Sequence, residues 1–128
     1  VGEVVARFGK LDILVNNAGI SGSGEPDFGS TEAWDRLMDI NAKGMMYGAK
    51  LAADLMVGQG HGHIINMASL AGVVSASGIA GYNASKFAVR GFSLAIAEDL
   101  AAHGVKVTVI CPDLVSTPML DQQLDYAE

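Results

Sequence analysis

The chain has 128 residues, half of them apolar and 17% charged, and its net charge is −6. That composition fits one globular domain with a real core, and it argues against disorder, a nucleic-acid surface or two domains. Cys111 is the only cysteine, so no internal disulfide can form and a reducing, cytoplasmic setting is expected. No apolar run approaches the about 20 residues that a membrane helix needs. The chain begins at Val1 within a helical pattern and stops at Glu128 without a closing element, which suggests a piece of a longer protein.

Val1, Val4, Val5 and Phe8 have helical spacing, and Gly9 stands where a C-cap belongs. Leu11 to Val15 is an aliphatic run that reads as a strand buried on both faces of a parallel sheet. It exits into Asn16-Asn17-Ala18-Gly19, whose small and amide residues suit a ligand crevice at the carboxyl end of such a strand. The segment Ile20 to Gly29 is rich in Gly and Ser. Pro26, Asp27 and Phe28 separate its glycines from the next helix, so it reads as a flexible loop over a site and not as a phosphate cradle.

Ser30 or Thr31 caps a helix predicted to run to about Val57, with Trp34, Leu37, Met38, Met45, Ala49, Ala52, Leu55 and Met56 on its apolar stripe. Asn41 lies in that stripe. Either a backbone carbonyl satisfies its amide, or the amide orients a water. Gly44 and Gly48 weaken the helix but let another element come close.

A second strand, His63 to Met67, leads into Ala68-Ser69-Leu70-Ala71-Gly72. His61 and His63 have no carboxylate or cysteine cluster beside them, so no metal site is expected. Ser69 is not the serine of a nucleophile elbow, because Met67 and Ala71 stand in the glycine positions. It does lie just past a strand's carboxyl end, where open α/β sheets gather ligand-binding residues. A small-residue loop, Val73 to Gly81, precedes a helix predicted from Tyr82 to about His103, with Gly104 as its C′ residue. That helix is apolar almost all round apart from the stripe Tyr82, Lys86 and Arg90. It is therefore expected to be heavily buried, in part against another subunit. A third strand, Val105 to Cys111, ends at Pro112, and a loop with Val115, Thr117 and Pro118 follows. Strands alternating with helices at these spacings imply an α/β fold with a parallel sheet and right-handed crossovers.

Tyr82 and Lys86 are four residues apart, on one helical face and one turn from each other. A free phenol ionises near pH ~10, and a cation held beside it lowers that value. The pair is thus a way to make a general acid/base from a tyrosine.

Taken together these residues resemble the short-chain dehydrogenase/reductase family along essentially the whole chain. Asn16-Asn17-Ala18-Gly19 matches the family's Asn-Asn-Ala-Gly strand end. Asn41 falls at its helix asparagine, Ser69 lies thirteen residues before Tyr82, and Tyr82-Asn83-Ala84-Ser85-Lys86 is a Tyr-x-Ala-Ser-Lys signature. The resemblance implies a partial Rossmann-type doubly wound parallel sheet, about the second half of the fold, forming one partial domain over residues 1–128. It also implies hydride transfer between NAD or NADP and an alcohol or ketone substrate. By the same resemblance Tyr82 is the acid/base, Lys86 binds the nicotinamide ribose and lowers the tyrosine's pKa, and Ser69 holds the substrate oxygen with Tyr82. Asn41 fixes a water on the proton path. Asn16, Ala18 and Gly19 line the cofactor, and Pro112, Val115 and Thr117 lie at its nicotinamide end.

This chain departs from the family in having Pro112-Asp113 where Pro-Gly is usual, and in lacking the glycine-rich phosphate loop and first three strands. The chain alone is therefore expected to be inactive, with any role of its own in helix-mediated association. Within the full-length protein the helices 31–57 and 82–103 are expected to form a homodimer or homotetramer. Some relatives in such a fold epimerise or dehydrate, but the complete tetrad favours alcohol/carbonyl redox chemistry. The small, uncharged loop Gly72 to Gly81 suggests a neutral or apolar substrate.

Overall fold

The structure is a computed structural model that describes residues 1–21 and 29–125. Most of the loop expected over the site, residues 22–28, lies outside the described residues. Three strands, β1 (Ile13–Asn16), β2 (Gly62–Met67) and β3 (Val105–Ile110), form a parallel sheet in the order β1-β2-β3. Ile13 pairs with His63, and Gly62 pairs with Val105, so the three carboxyl ends emerge side by side.

The helices are α1 (Gly2–Phe8), α2 (Thr31–Leu37), α3 (Gly44–Gln59), α4 (Ala80–Ala101) and α5 (Pro118–Asp125). The strand-helix alternation is the one expected of an α/β chain. α1 ends at Gly9 in the left-handed conformation that glycine adopts without steric cost. Ser30 caps α2, its hydroxyl accepting from the Ala33 amide at 3.2 Å.

α3 and α4 cover one face of the sheet. Met45, Ala49, Ala52, Ala53 and Met56 recur at helical spacing on α3 and meet Ile64, Val89 and Val105 in the core. Alanines at three of those positions let the helix lie close to the strands. Gly48 goes further, since a Cβ there would come within 2.6 Å of the Asn16 carboxamide oxygen.

Four expectations are corrected. The helix predicted from 31 to about 57 is not continuous: a π-helical turn, Met38–Lys43, separates α2 from α3. Leu37, Asn41, Met45 and Ala49 are all buried and recur every fourth residue. At 3.6 residues per turn such a row drifts by about 40° a step, and a wider turn removes part of that drift. Second, β1 is not buried on both faces. Ile13 is 57% and Val15 52% exposed, because no described element packs on that side of an edge strand. Third, α4 is not buried all round: its buried residues are Asn83, Ser85, Lys86, Val89 and Ser93, whereas Phe87 and Leu94 are exposed. Val89 packs into the core, and part of the helix's apolar surface, at Phe87 and Leu94, looks outward. Fourth, Pro118 opens α5 and is not part of a loop. Proline suits a first helical turn, and the Thr117 carbonyl accepts from Leu120 and Asp121.

Candidate active site at the strand ends

The site lies where the parallel strands end together, the usual ligand crevice of an open α/β sheet. Beyond β2 the ladder continues: Ala68 donates to the Ile110 carbonyl and Leu70 to that of Pro112, both at 2.8 Å. Ser69 sits between these two bonds, so its position is set by the sheet. Its hydroxyl accepts from the Ala71 amide at 3.1 Å, and its own proton has no acceptor among the described residues.

α4 starts at the same end and carries Tyr82 and Lys86 on one face. The Lys86 ammonium stands 5.7 Å from the centre of the Tyr82 ring. Lys86 is buried and donates to the Met67 carbonyl at 3.2 Å. Burial pushes its pKa below the ordinary lysine value. Lys86 is also held from behind, since a Cβ at Gly72 would come within 2.6 Å of its carbonyl oxygen.

Asn41 reaches the site from the π-helical turn. Its carboxamide oxygen accepts from the Ile20 amide at 2.8 Å. Its two amide hydrogens go to the Ile20 carbonyl at 2.9 Å and the Ser85 hydroxyl at 3.1 Å. Ser85 in turn donates to the Tyr82 carbonyl at 2.8 Å. Asn41 therefore ties the chain after β1 to the helix that bears Tyr82. Both of its amide hydrogens are engaged by protein, as in the backbone-satisfied reading, and a water held by Asn41 must bind another of its atoms. Gly19 closes the group: a Cβ there would lie 3.3 Å from the Asn41 carboxamide oxygen and 3.5 Å from the Lys86 ammonium.

Other expected positions are arranged differently. The Asn16 side chain turns away from the crevice, donating to Asn66 at 2.8 Å and to the Met45 carbonyl at 3.4 Å. At this position only the Asn16 backbone is left to face the crevice. Ala18 is exposed beside the crevice. Pro112 is fixed by its bond from Leu70, whereas Val115 and Thr117 lie exposed on the way to α5 and bond none of the other site residues. Asp113, where glycine was expected, accepts from the Leu114 amide at 2.8 Å and remains exposed. Among the described residues no three His, Cys, Asp or Glu side chains converge as a metal site would require.

Three buried residues that position the site were not singled out from the sequence. Asn66 donates to the Ser93 hydroxyl at 2.9 Å, which donates to the Val89 carbonyl at 2.6 Å, so a buried polar line runs from Asn16 into α4. Asn83, beside Tyr82, makes three bonds to the preceding loop. The available signal was polarity at core periodicity: Asn66 alternates with aliphatic residues in β2, and Ser93 falls in line with Val89.

The parallel sheet with its covering helices defines an α/β protein, and comparison with known proteins gives its class. The profile of the short chain dehydrogenase family matches residues 1–127, and the chain belongs to that family. It is 36% identical over 131 residues to a 2-(R)-hydroxypropyl-CoM dehydrogenase of Xanthobacter autotrophicus, covering all of this chain and 52% of that protein. To a 3-alpha-(or 20-beta)-hydroxysteroid dehydrogenase of Mycobacterium tuberculosis it is 42% identical over 122 residues, 94% of this chain and 46% of the relative. Among solved structures, a gluconate 5-dehydrogenase from Burkholderia cenocepacia in complex with NADP and tartrate superposes with a TM-score of 0.89. The identity there is 35%, over 97% of this chain and 49% of that one. The chain thus spans about half the length of the relatives it matches, and its sheet is part of a Rossmann-type fold.

Proposed function

We propose that this chain is the catalytic half of a nicotinamide-dependent oxidoreductase that interconverts an alcohol and a carbonyl compound. The observation that carries this reading is Lys86. Its ammonium is buried, bonded once among the described residues, and set against the Tyr82 ring at the mouth of the crevice. A buried cation with unused donors is an unstable arrangement unless a ligand takes them up. The remaining hydrogens suit the hydroxyls of a ribose, and Gly19 keeps the approach to them open.

A dinucleotide, NAD or NADP, would be held by the backbone of Asn16, Ala18 and Gly19, by Lys86 and Tyr82, and at its nicotinamide end by Pro112, Val115 and Thr117. When bound, it supplies or accepts a hydride at the nicotinamide C4. Ser69 donates its hydroxyl proton to the substrate oxygen and so orients it. In reduction Tyr82 gives that oxygen a proton; in oxidation it takes one. The Lys86 ammonium stands beside the ring, 5.7 Å from its centre. Asn41 holds the geometry through Ile20 and Ser85, and a water bound at its remaining acceptor positions returns the proton. The substrate is a small, neutral or apolar alcohol or ketone, in keeping with the uncharged wall Gly72 to Gly81. The remainder of the fold supplies the phosphate-binding loop, and the protein acts in the cytoplasm as a homodimer or homotetramer, with no nucleic acid or membrane as partner.

Tyr82→Phe in the full-length protein tests the reading. Turnover should fall by about a hundredfold or more, while nicotinamide fluorescence titration gives unchanged cofactor affinity. Retained turnover would remove Tyr82 from the mechanism.

A further inference from the structure

The residue after Tyr82 faces away from the crevice and into the loop that follows Ser69. Asn83 is buried, and all of its side-chain hydrogen-bonding groups are engaged by that loop's backbone. Its amide nitrogen donates to the carbonyls of Ala71 at 2.8 Å and Val74 at 3.0 Å. Its carboxamide oxygen accepts from the Ala76 amide at 3.2 Å.

These bonds act on a segment with little else to hold it. The amides of Gly72, Val73 and Val74 are bonded to the Ser69 and Leu70 carbonyls. From there to Ile79, whose carbonyl begins α4 by accepting from the Asn83 amide, the tether is the Ala76–Asn83 bond. Residues 73–78 are exposed, so packing does not fix them. On the closed side, Gly72 lies so near the Lys86 carbonyl that the start of the loop has no room to shift inward.

We infer that Asn83 is a positioning residue that sets the substrate wall, holding Val73 to Ser77 at a fixed distance from Tyr82. This deepens the dehydrogenase reading and rests on it for the kinetic part alone. One helical residue then serves two tasks with its neighbour: Tyr82 addresses the reacting oxygen, and Asn83 places the surface against which the rest of the substrate lies. A loosened wall weakens substrate binding, whereas Tyr82, Lys86 and the cofactor crevice stay in place.

The test uses Asn83→Ala in the full-length protein, with two readouts. Hydrogen exchange should show the Ala76 amide and its neighbours in 73–78 losing protection by about a hundredfold, while α4 beyond residue 84 keeps its protection. In turnover, KM for the alcohol or ketone should rise about tenfold, with kcat changed less than about threefold and cofactor affinity unchanged. Unaltered exchange in 73–78 overturns the inference. Lost protection with unaltered KM overturns the positioning role and leaves Asn83 merely structural. If the alanine variant does not fold, Asn83→Ser, which keeps a short polar group, is read the same way; failure of both to fold also assigns Asn83 to folding alone. Should the parent show no dehydrogenase turnover, the function reading fails, and the exchange result still decides whether Asn83 holds the wall.

Discussion

Burial keeps the Lys86 ammonium below the ordinary lysine value, and that depression has a stability signature. Between the depressed value and 10.5, the unfolded chain binds more protons than the folded one, so stability rises with pH across this window. Below the window the folded chain carries the full desolvation cost of the charge. Lys86→Met removes that cost along with the bond to the Met67 carbonyl. The stability of the variant relative to the parent should therefore decline as pH climbs through the window, as measured by urea unfolding at a series of alkaline pH values. A pH-independent difference would mean that Lys86 is better solvated than its burial implies. The Tyr82–Lys86 relation was legible in the sequence because helical spacing alone puts i and i+4 together. Asn41 was legible as a buried amide, but its partners were not. Ile20 and Ser85 lie 21 and 44 residues away, and only the folded chain brings them within reach.

At the scale of elements, the buried line Asn16–Asn66–Ser93 joins β1, β2 and α4 behind the active site. Each member satisfies the next, and no buried side-chain nitrogen or oxygen among the described residues lacks a partner. Ser93→Ala removes the last side chain of the line and leaves an Asn66 amide hydrogen without an acceptor. The expected loss is about 1–3 kcal/mol of stability, measured by denaturant unfolding, with Tyr82 and Lys86 untouched. A smaller loss would show that Asn66 finds another acceptor. Strand and helix positions were readable from aliphatic runs and cap residues, because those signals are local. The line was not, since it depends on the parallel register that sets Asn16 beside Asn66, fifty residues apart. The break in the helix 31–57 was hidden for a related reason. An apolar row spaced by fours looks like ordinary helix until the helix has to keep it aimed at one neighbour.

Across the whole molecule, apolar surface remains on two sides. On the bare face of the sheet Ile13 and Val15 are open, and α3 and α4 present Tyr47, Leu51, Phe87 and Leu94 to solvent, with Leu51 61% exposed. Aliphatic and aromatic side chains spaced along two neighbouring helices form a stripe suited to a matching stripe on a second copy. In the homodimer or homotetramer proposed for the full-length protein, Leu51→Lys combined with Leu94→Lys should shift the mass toward monomer in sedimentation experiments, with secondary structure preserved. An unchanged mass would place the subunit contact elsewhere. The composition pointed to this surface only indirectly. A helix that is apolar almost all round reads as buried on every side, whereas the structure buries one face of α4 and leaves Phe87 and Leu94 open.

The π-helical turn at Met38–Lys43 also has a consequence for how the gene can vary. A π turn holds one residue more than the α-helix would need to join the same flanks. Losing one codon there would cost the helix nothing as a helix: residues 31–59 would wind on as a single α ladder. The two flanks would keep their relation, because an α-helix joins them with one residue fewer than the π turn, and the displacement would fall on Asn41. Leu37 and Met45 would still face the core, whereas Asn41 would turn by about 100° against one flank and lose Ile20 or Ser85. A deletion of Ile40 should thus raise helicity by circular dichroism while lowering the unfolding temperature and abolishing turnover. Length in this stretch is therefore tied to the placement of Asn41, and alignments of related genes should show no gaps here.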